Sequence, residues 1–189
     1  MNSALIVSSA EKGTVYFADM LSSASVEHIT ASQSCGQARR LLLERDFDLI
    51  IVNAPLIDES GERLARDIAS KGVSQVILVV KSEYYEAITA ACENDGVLTI
   101  SKPTNKAIFW SALMFAKSAG FRMKRIQAEN NRLKQRIEDI RIVDRAKCIL
   151  ISYMQMSEQD AHRYIEKQAM DMRTTKREIA EGILKRYEV

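Results

Sequence analysis

Five short apolar runs rich in β-branched residues punctuate the first hundred positions: "ALIVS" (4–8), "VEHITA" (26–31), "LIIVN" (49–53), "VILVV" (76–80) and "VLTI" (97–100). Amphipathic stretches such as "CGQARRLLLER" (35–45) and "GERLARDIA" (61–69) separate them, with turn residues Gly13, Gly72, Gly96 and Pro103 between. Apolar runs of this length suit strands covered on both faces. Their alternation with helical stretches predicts a five-stranded parallel sheet between helix layers. The third run ends in Asn53, just before Pro55. Ligands and chemistry gather at the carboxyl ends of the strands of an open parallel sheet, which makes Asn53 a candidate site residue.

The grammar changes after Gly120, because neither glycine nor proline recurs before Gly182. One continuous helix is expected from 121 to about 152. Along it Met123, Ile126, Asn130, Leu133, Ile137 and Ile140 recur at alternating steps of three and four. That spacing is a heptad seam with Met123, Asn130 and Ile137 at a and Ile126, Leu133 and Ile140 at d. A buried Asn at a, with Leu at the next d, selects a parallel two-stranded coil, since two amides satisfy each other in one register only. Glu129 at g and Lys134 at the following e attract across such a homodimer. The same seam also suits packing on the chain's own domain, and both readings stay open here.

Two shorter helices follow. "SEQDAHRYIEKQAM" opens with Ser157 and Asp160 in capping-box spacing and carries Ala161, Tyr164, Ile165 and Ala169 along one face. "TTKREIAEGILKRY" repeats the device with Thr175 and Glu178 and offers Ile179, Ile183 and Leu184 for burial. Three domains are expected: an α/β unit over 1–118, a coiled-coil linker helix over 119–143, and a three-helix all-α unit over 136–189 whose first helix continues the linker.

Length and composition narrow the function classes. The 189 residues, 47% hydrophobic and 28% charged, are those of a globular chain, and no apolar run nears the roughly 20 residues of a bilayer span. "MNSALIVSS" lacks a basic segment ahead of a long apolar one, so the expected compartment is the cytoplasm, without membrane attachment. Cys35, Cys92 and Cys148 form no close pair, which argues for buried thiols over a disulfide framework or a zinc site. His28 and His162 lie far from them in sequence, and each is read as a surface or packing residue. No metal or other cofactor is expected. A glycine-rich phosphate loop is also missing, which disfavours a nucleotide-binding enzyme. The charge divides unevenly: residues 1–116 sum to −4 and residues 117–189 to +6. A basic C-terminal part suits nucleic acid, and equally a solvated helix surface.

Residues 1 to about 118, with "ISKP" closing the fifth strand, resemble the receiver domain of bacterial response regulators, a flavodoxin-like fold. In that family an acidic pair after the first strand holds Mg²⁺, an Asp ending the third strand accepts the phosphoryl group, a Thr or Ser ends the fourth, and a Lys before Pro ends the fifth. Here Ser8 and Ser9 replace the acidic pair, Asn53 replaces the acceptor and Val80 replaces the hydroxyl, leaving Lys102 before Pro103 as the match. Aspartyl phosphorylation needs a carboxylate nucleophile and a hard cation held by oxygen anions. A neutral amide between two serines supplies neither, so the domain reads as a pseudo-receiver. Asp48, Asp58 and Glu59 are the nearby carboxylates, and solvated surface is their expected role.

The run 142–184 resembles the ANTAR domain, the RNA-binding module of transcription antiterminators. Ala146, Lys147, Ile149 and Leu150 match in the first helix. Ser157, Glu158, Ala161, Tyr164, Ala169, Met170 and Arg173 match in the second, and Ile179, Ala180 and Ile183 in the third. Cys148 departs from the family's usual Gly. The resemblance implies a homodimer that grips paired stem-loops of a leader transcript and prevents a terminator hairpin from forming, with a regulatory sensor protein as a further partner. RNA loops are read through unstacked bases, with cations positioning the phosphates. The candidate RNA contacts are Lys147, Arg163, Arg173, Thr174, Lys176 and Arg177. Rival readings are a protein-interaction adaptor and a response regulator phosphorylated at a non-standard carboxylate. DNA binding through a helix-turn-helix is weaker, because the last helix is short and mixed in charge.

Overall fold

The computed structural model describes residues 1–72 and 74–187, and these divide into two compact units, Met1–Lys124 and Arg125–Val189. The first unit holds strands β1 (Ser3–Ser8), β2 (His28–Ser32), β3 (Leu49–Asn53), β4 (Gln75–Lys81) and β5 (Leu98–Lys102) in one parallel sheet ordered β2-β1-β3-β4-β5. Helices α1 (Glu11–Ser23), α2 (Cys35–Glu44), α3 (Glu62–Ala69) and α4 (Tyr85–Cys92) connect them. Helix α5 (Lys106–Met154) follows β5.

Side chains alternate across each strand, and the two faces collect different helices. Leu5, Val7, Ile50, Val52, Leu78 and Val80 meet α2, α3 and α4. Ala4, Ile6, Leu49, Ile51, Ile77 and Val79 meet α1 and α5, where Phe109 and Leu113 are fully buried. The central β3 is buried along all five residues, as its unbroken apolar run requires.

Most element ends shift by one or two residues from the sequence expectation, and two of the shifts change the packing. Strand β2 starts at His28, and Val26 is buried in the connection before it. Helix α5 starts at Lys106, fifteen residues ahead of the expected 121, with the Asn105 side chain accepting from the Ile108 N–H at 2.7 Å. It runs through Gly120, which does not end or begin anything. A Cβ there would lie 3.3 Å from the Gln75 side chain, so the glycine serves close packing of α5 against the start of β4. Helix and domain boundaries therefore do not coincide.

Asp48 is not the solvated carboxylate the sequence suggested. It accepts from the N–H groups of Asn2 and Ser3 and from Lys124 at 2.6 Å, fastening the chain start and α5 to the head of β3. Burial pushes its carboxyl up, and the bonds from Lys124, Asn2 and Ser3 overcome that and hold it below the ordinary value.

In the second unit, α6 (Glu158–Asp171) and α7 (Lys176–Tyr187) fold against the end of α5. Ser157 Oγ accepts from the Asp160 N–H and Thr175 Oγ1 from the Glu178 N–H, each at 3.2 Å, at the two expected caps. The core is Ala146, Leu150, Ala161, Ile165, Ala180 and Leu184. Ile179 and Ile183 sit at its edge, while Tyr164 is 36% exposed despite its place on the apolar face. Small residues let short helices approach closely, so Ala180 takes the interior position and the larger isoleucines flank it. Of the thiols, Cys35 and Cys92 are buried and Cys148 is exposed, against the expectation for all three. Its neighbours Lys147 and Ile149 are half-buried, and it lies on the side of α5 away from the Ala146–Leu150 core face.

Candidate nucleic-acid interface and the vacated acceptor site

At the carboxyl ends of β1 and β3, Asn53 is 8% exposed and Ser8 1%. Asn53 Nδ2 donates to Ser8 Oγ at 2.9 Å, and Ser8 Oγ donates to the Ala10 carbonyl at 3.0 Å. Ser9 Oγ reaches the Pro55 carbonyl at 3.4 Å. Val80 points into the core against α2, α3 and α4. Lys102 donates to the carbonyl of Ala54, beside Asn53, and burial followed by the charge of Lys81 pulls its ammonium below the ordinary value. The Lys102–Pro103 and Ala54–Pro55 peptides are cis.

Gly13 on α1 faces this amide so closely that a Cβ there would lie 2.5 Å from Asn53 Nδ2. The space where an acceptor and its cation would stand is thus occupied by a neutral, internally satisfied chain of amide, hydroxyl and backbone. A carbonyl, not an incoming oxyanion, holds the lysine.

Two further carboxylates near this end, Asp58 and Glu59, are engaged. Both oxygens of Asp58 accept from α2, from the Cys35 and Gly36 N–H groups at 2.9 Å each, which holds the Asp58 carboxyl below its ordinary value. The N-terminal end of a helix favours a carboxylate for this reason. Glu59 forms a two-pronged pair with Arg39. Cys35, Asp58 and Glu59 offer atoms within 4.8 Å of one another, a grouping with the donor types of a cation site. Burial, and then the charges of Asp58 and Glu59, push the Cys35 thiol up to about 11. No local pattern marks these bonds, because their partners lie about twenty residues away.

The six candidate RNA contacts fall into two groups. Lys147 is tied down: it pairs with Asp144 at 2.7 Å and Glu158 at 3.3 Å, and its side chain is only 16% exposed. Arg177 joins Asp139 at 2.7 Å and Glu181 at 2.8 Å, bonding α7 to α5. Lys176 pairs with Glu166 of α6. These three cations bind the helices of the head to one another. Arg163 and Arg173 are exposed and make no ion pair with the described residues. Thr174, next to Arg173 in the chain, is half-buried.

Arg173 has a further peculiarity. Its φ is +51°, in the left-handed region just past the end of α6. The Arg173 N–H donates to the Met170 carbonyl and the Thr174 N–H to the Ala169 carbonyl, a helix-ending arrangement whose left-handed position is usually glycine. An arginine is held where its backbone is strained and its side chain projects outward.

The heptad residues of α5 are open. Met123, Ile126, Leu133, Ile137 and Ile140 are 45–53% exposed, and Asn130 is exposed with them. None packs into either core. At 3.6 residues per turn, Ile137 and Ile140 lie on roughly the opposite side of α5 from Ile142, Val143, Ala146 and Leu150, which build the head core. The seam and the head therefore use different faces of one helix.

The ANTAR domain family matches residues 131–184, reaching from within the exposed stretch of α5 to α7. The transcriptional regulatory protein PdtaR of Mycobacterium tuberculosis is 28% identical over 137 residues, 72% of this chain and 67% of that protein. Among solved structures, the signal receiver domain of an HD domain-containing protein from Pseudomonas fluorescens superposes with a TM-score of 0.58 at 24% identity, over 66% of this chain and 92% of that one. A two-component response regulator from Clostridium difficile gives a TM-score of 0.55 at 18% identity, over 62% and 97%. Among the described residues no helix is long and apolar enough to cross a membrane. The sheet order and the structural neighbours give the first unit the fold of a receiver domain, and the C-terminal helices over 131–184 match the ANTAR domain.

Proposed function

We propose that the protein is a dimeric RNA-binding regulator of transcription antitermination, in which two ANTAR heads joined through α5 bind a pair of stem-loops in a leader transcript. The observation that carries this reading is the ANTAR head with two outward, unpaired arginines, Arg163 and Arg173, one of them kept at a strained backbone position. A non-glycine residue in that conformation costs stability and persists where its side chain has a use. Lys147, Lys176 and Arg177 take a structural part, holding the helices that present the first two, and Thr174 lies within the same turn. The unpacked apolar seam supports the dimer, since such a row is otherwise left in water.

The receiver-like domain acts here by binding, without aspartyl phosphorylation. Acetyl phosphate with Mg²⁺ is expected to leave the intact mass of the protein unchanged. A phosphoryl adduct mapped to any carboxylate overturns this part of the proposal.

The RNA reading is tested by gel shift with stem-loop RNA selected by the wild-type protein from a pool with randomised loops. Arg163→Ala with Arg173→Ala is expected to abolish loop-dependent binding while leaving the helical content intact. Arg173→Gly separates the two roles of that residue. It relieves the left-handed backbone and is expected to stabilise the head by about 0.5–1 kcal/mol, yet to weaken RNA binding. A glycine variant that is both more stable and fully active removes Arg173 from the interface.

A further inference from the structure

Between the two cores α5 carries an uneven charge. Residues 125–136 hold Arg125, Arg132, Lys134 and Arg136 against one acid, Glu129. The three arginines are exposed and make no ion pair with the described residues. Their positions are ordered. At 3.6 residues per turn, Arg125 and Arg132 stand one above the other about 10 Å apart, with Arg136 roughly 6 Å further along the same side. The next position in the Arg125–Arg132 column is Asp139, which is bonded to Arg177 of α7, so the column leads to the head.

A solvated helix face normally mixes signs at three- and four-residue spacing, because like charges there repel. Arg132 and Arg136 stand four apart, and the acids at three-residue spacing do not pair with them: Glu129 bonds neither, and Asp139 is held by Arg177. A parallel coil through the seam makes this worse. Arg136 falls at g and faces Arg141 at e of the partner helix, whereas Glu129 at g faces Lys134. The column itself falls at c, about a third of a turn from the seam, which leaves it uncovered in the dimer. Such a row lacks only an anion of matching length.

We propose that Arg125, Arg132 and Arg136 form a phosphate-binding rail, so that RNA held at its loop by the head is gripped along its stem by α5. This rests on the RNA-binding reading above. Arginines one to two helical turns apart, at about 6 and 10 Å, can meet separate phosphodiesters of a duplex backbone. They position the stem without reading its sequence.

The test uses the full chain and the pool-selected stem-loop RNA described above, with affinity measured across salt. Each lost phosphate contact reduces the slope of log K against log salt by about 0.7–0.9, so R125Q/R132Q/R136Q is expected to flatten it by about 2 per chain. Affinity at moderate salt is expected to drop about tenfold or more, with loop preference unchanged. The lysine triple variant R125K/R132K/R136K is expected to keep most of the slope, and shortening the stem to a few base pairs is expected to erase the difference between wild type and the glutamine variant. Sedimentation velocity is expected to show the glutamine variant no less dimeric than wild type, because charge repulsion has been removed. An unchanged slope and affinity on the long stem overturn the rail. Failure to select any RNA with loop-dependent binding overturns the RNA reading instead.

Discussion

Replacing Asn130 and Leu133 together by lysine is expected to lower affinity for a paired stem-loop RNA by at least about 100-fold, while binding of a single stem-loop falls little. Two linked heads act on two loops at high effective concentration, and such coupling contributes roughly 10²–10⁴ in apparent affinity without any new contact. Both residues are exposed on α5, on the side opposite the head core, so the substitution leaves the head's packing untouched. Lysines at adjoining a and d positions place four like charges at the centre of the coil. Sedimentation velocity then reports a monomer and circular dichroism an intact helical head. A monomeric variant that binds the paired RNA at full strength removes the coil from the mechanism.

The second large effect concerns the head itself. Ile165→Ala is expected to cost about 2–5 kcal/mol, the range for deleting a buried branched side chain with little chance of collapse. Ile165 is fully buried, and half of the six buried core residues around it, itself included, are large: Leu150, Ile165 and Leu184. The others are alanines, which admit close helix approach but contribute little apolar surface. A core this small has no reserve. The expected readout is loss of the head's thermal transition and of RNA binding together, with the Met1–Lys124 unit keeping its own transition. A variant whose head melts as wild type does shows that the polar clamps, Lys147 to Asp144 and Glu158 and Arg177 to Asp139, hold it alone.

These clamps mark the limit of what residue patterns reveal. Each cation was legible as a basic residue on a basic module, and nothing local separated Lys147, which is sequestered, from Arg163, which is open. Lys147 bridges Asp144, three residues back on the same helix, and Glu158, eleven residues on and brought beside it by the turn between α5 and α6, whereas Arg163 pairs with neither kind of neighbour. Arg177 finds Asp139 across 38 residues. Asp48 gains its donors from other elements for the same reason, while Asp58 and Glu59 keep the expected surface position and add donors from α2.

The apolar periodicities carried more. The β3 bounds, Leu49–Asn53, are those of the apolar run, because a central parallel strand is buried on both faces and cannot hide a polar residue inside its length. The caps at Ser157 and Thr175 were equally plain, as a side chain meeting an N–H three residues on is a local event. Gly120 was misleading. Its meaning is a distance to Gln75, which a linear reading does not contain.

By itself the sequence determined the element types, the parallel α/β class, the three-helix head and a neutral amide, Asn53, at the end of β3, all consequences of periodicity, local capping and residue chemistry. Only the tertiary structure decided that Asn53, Ser8 and Ala10 are linked there by hydrogen bonds, that three of the basic candidates are spent within the head, and that the heptad seam lies open on α5. Periodicity is a property of neighbours along the chain, whereas exposure, ion pairing and occupancy of a site depend on residues that meet only once the chain has folded.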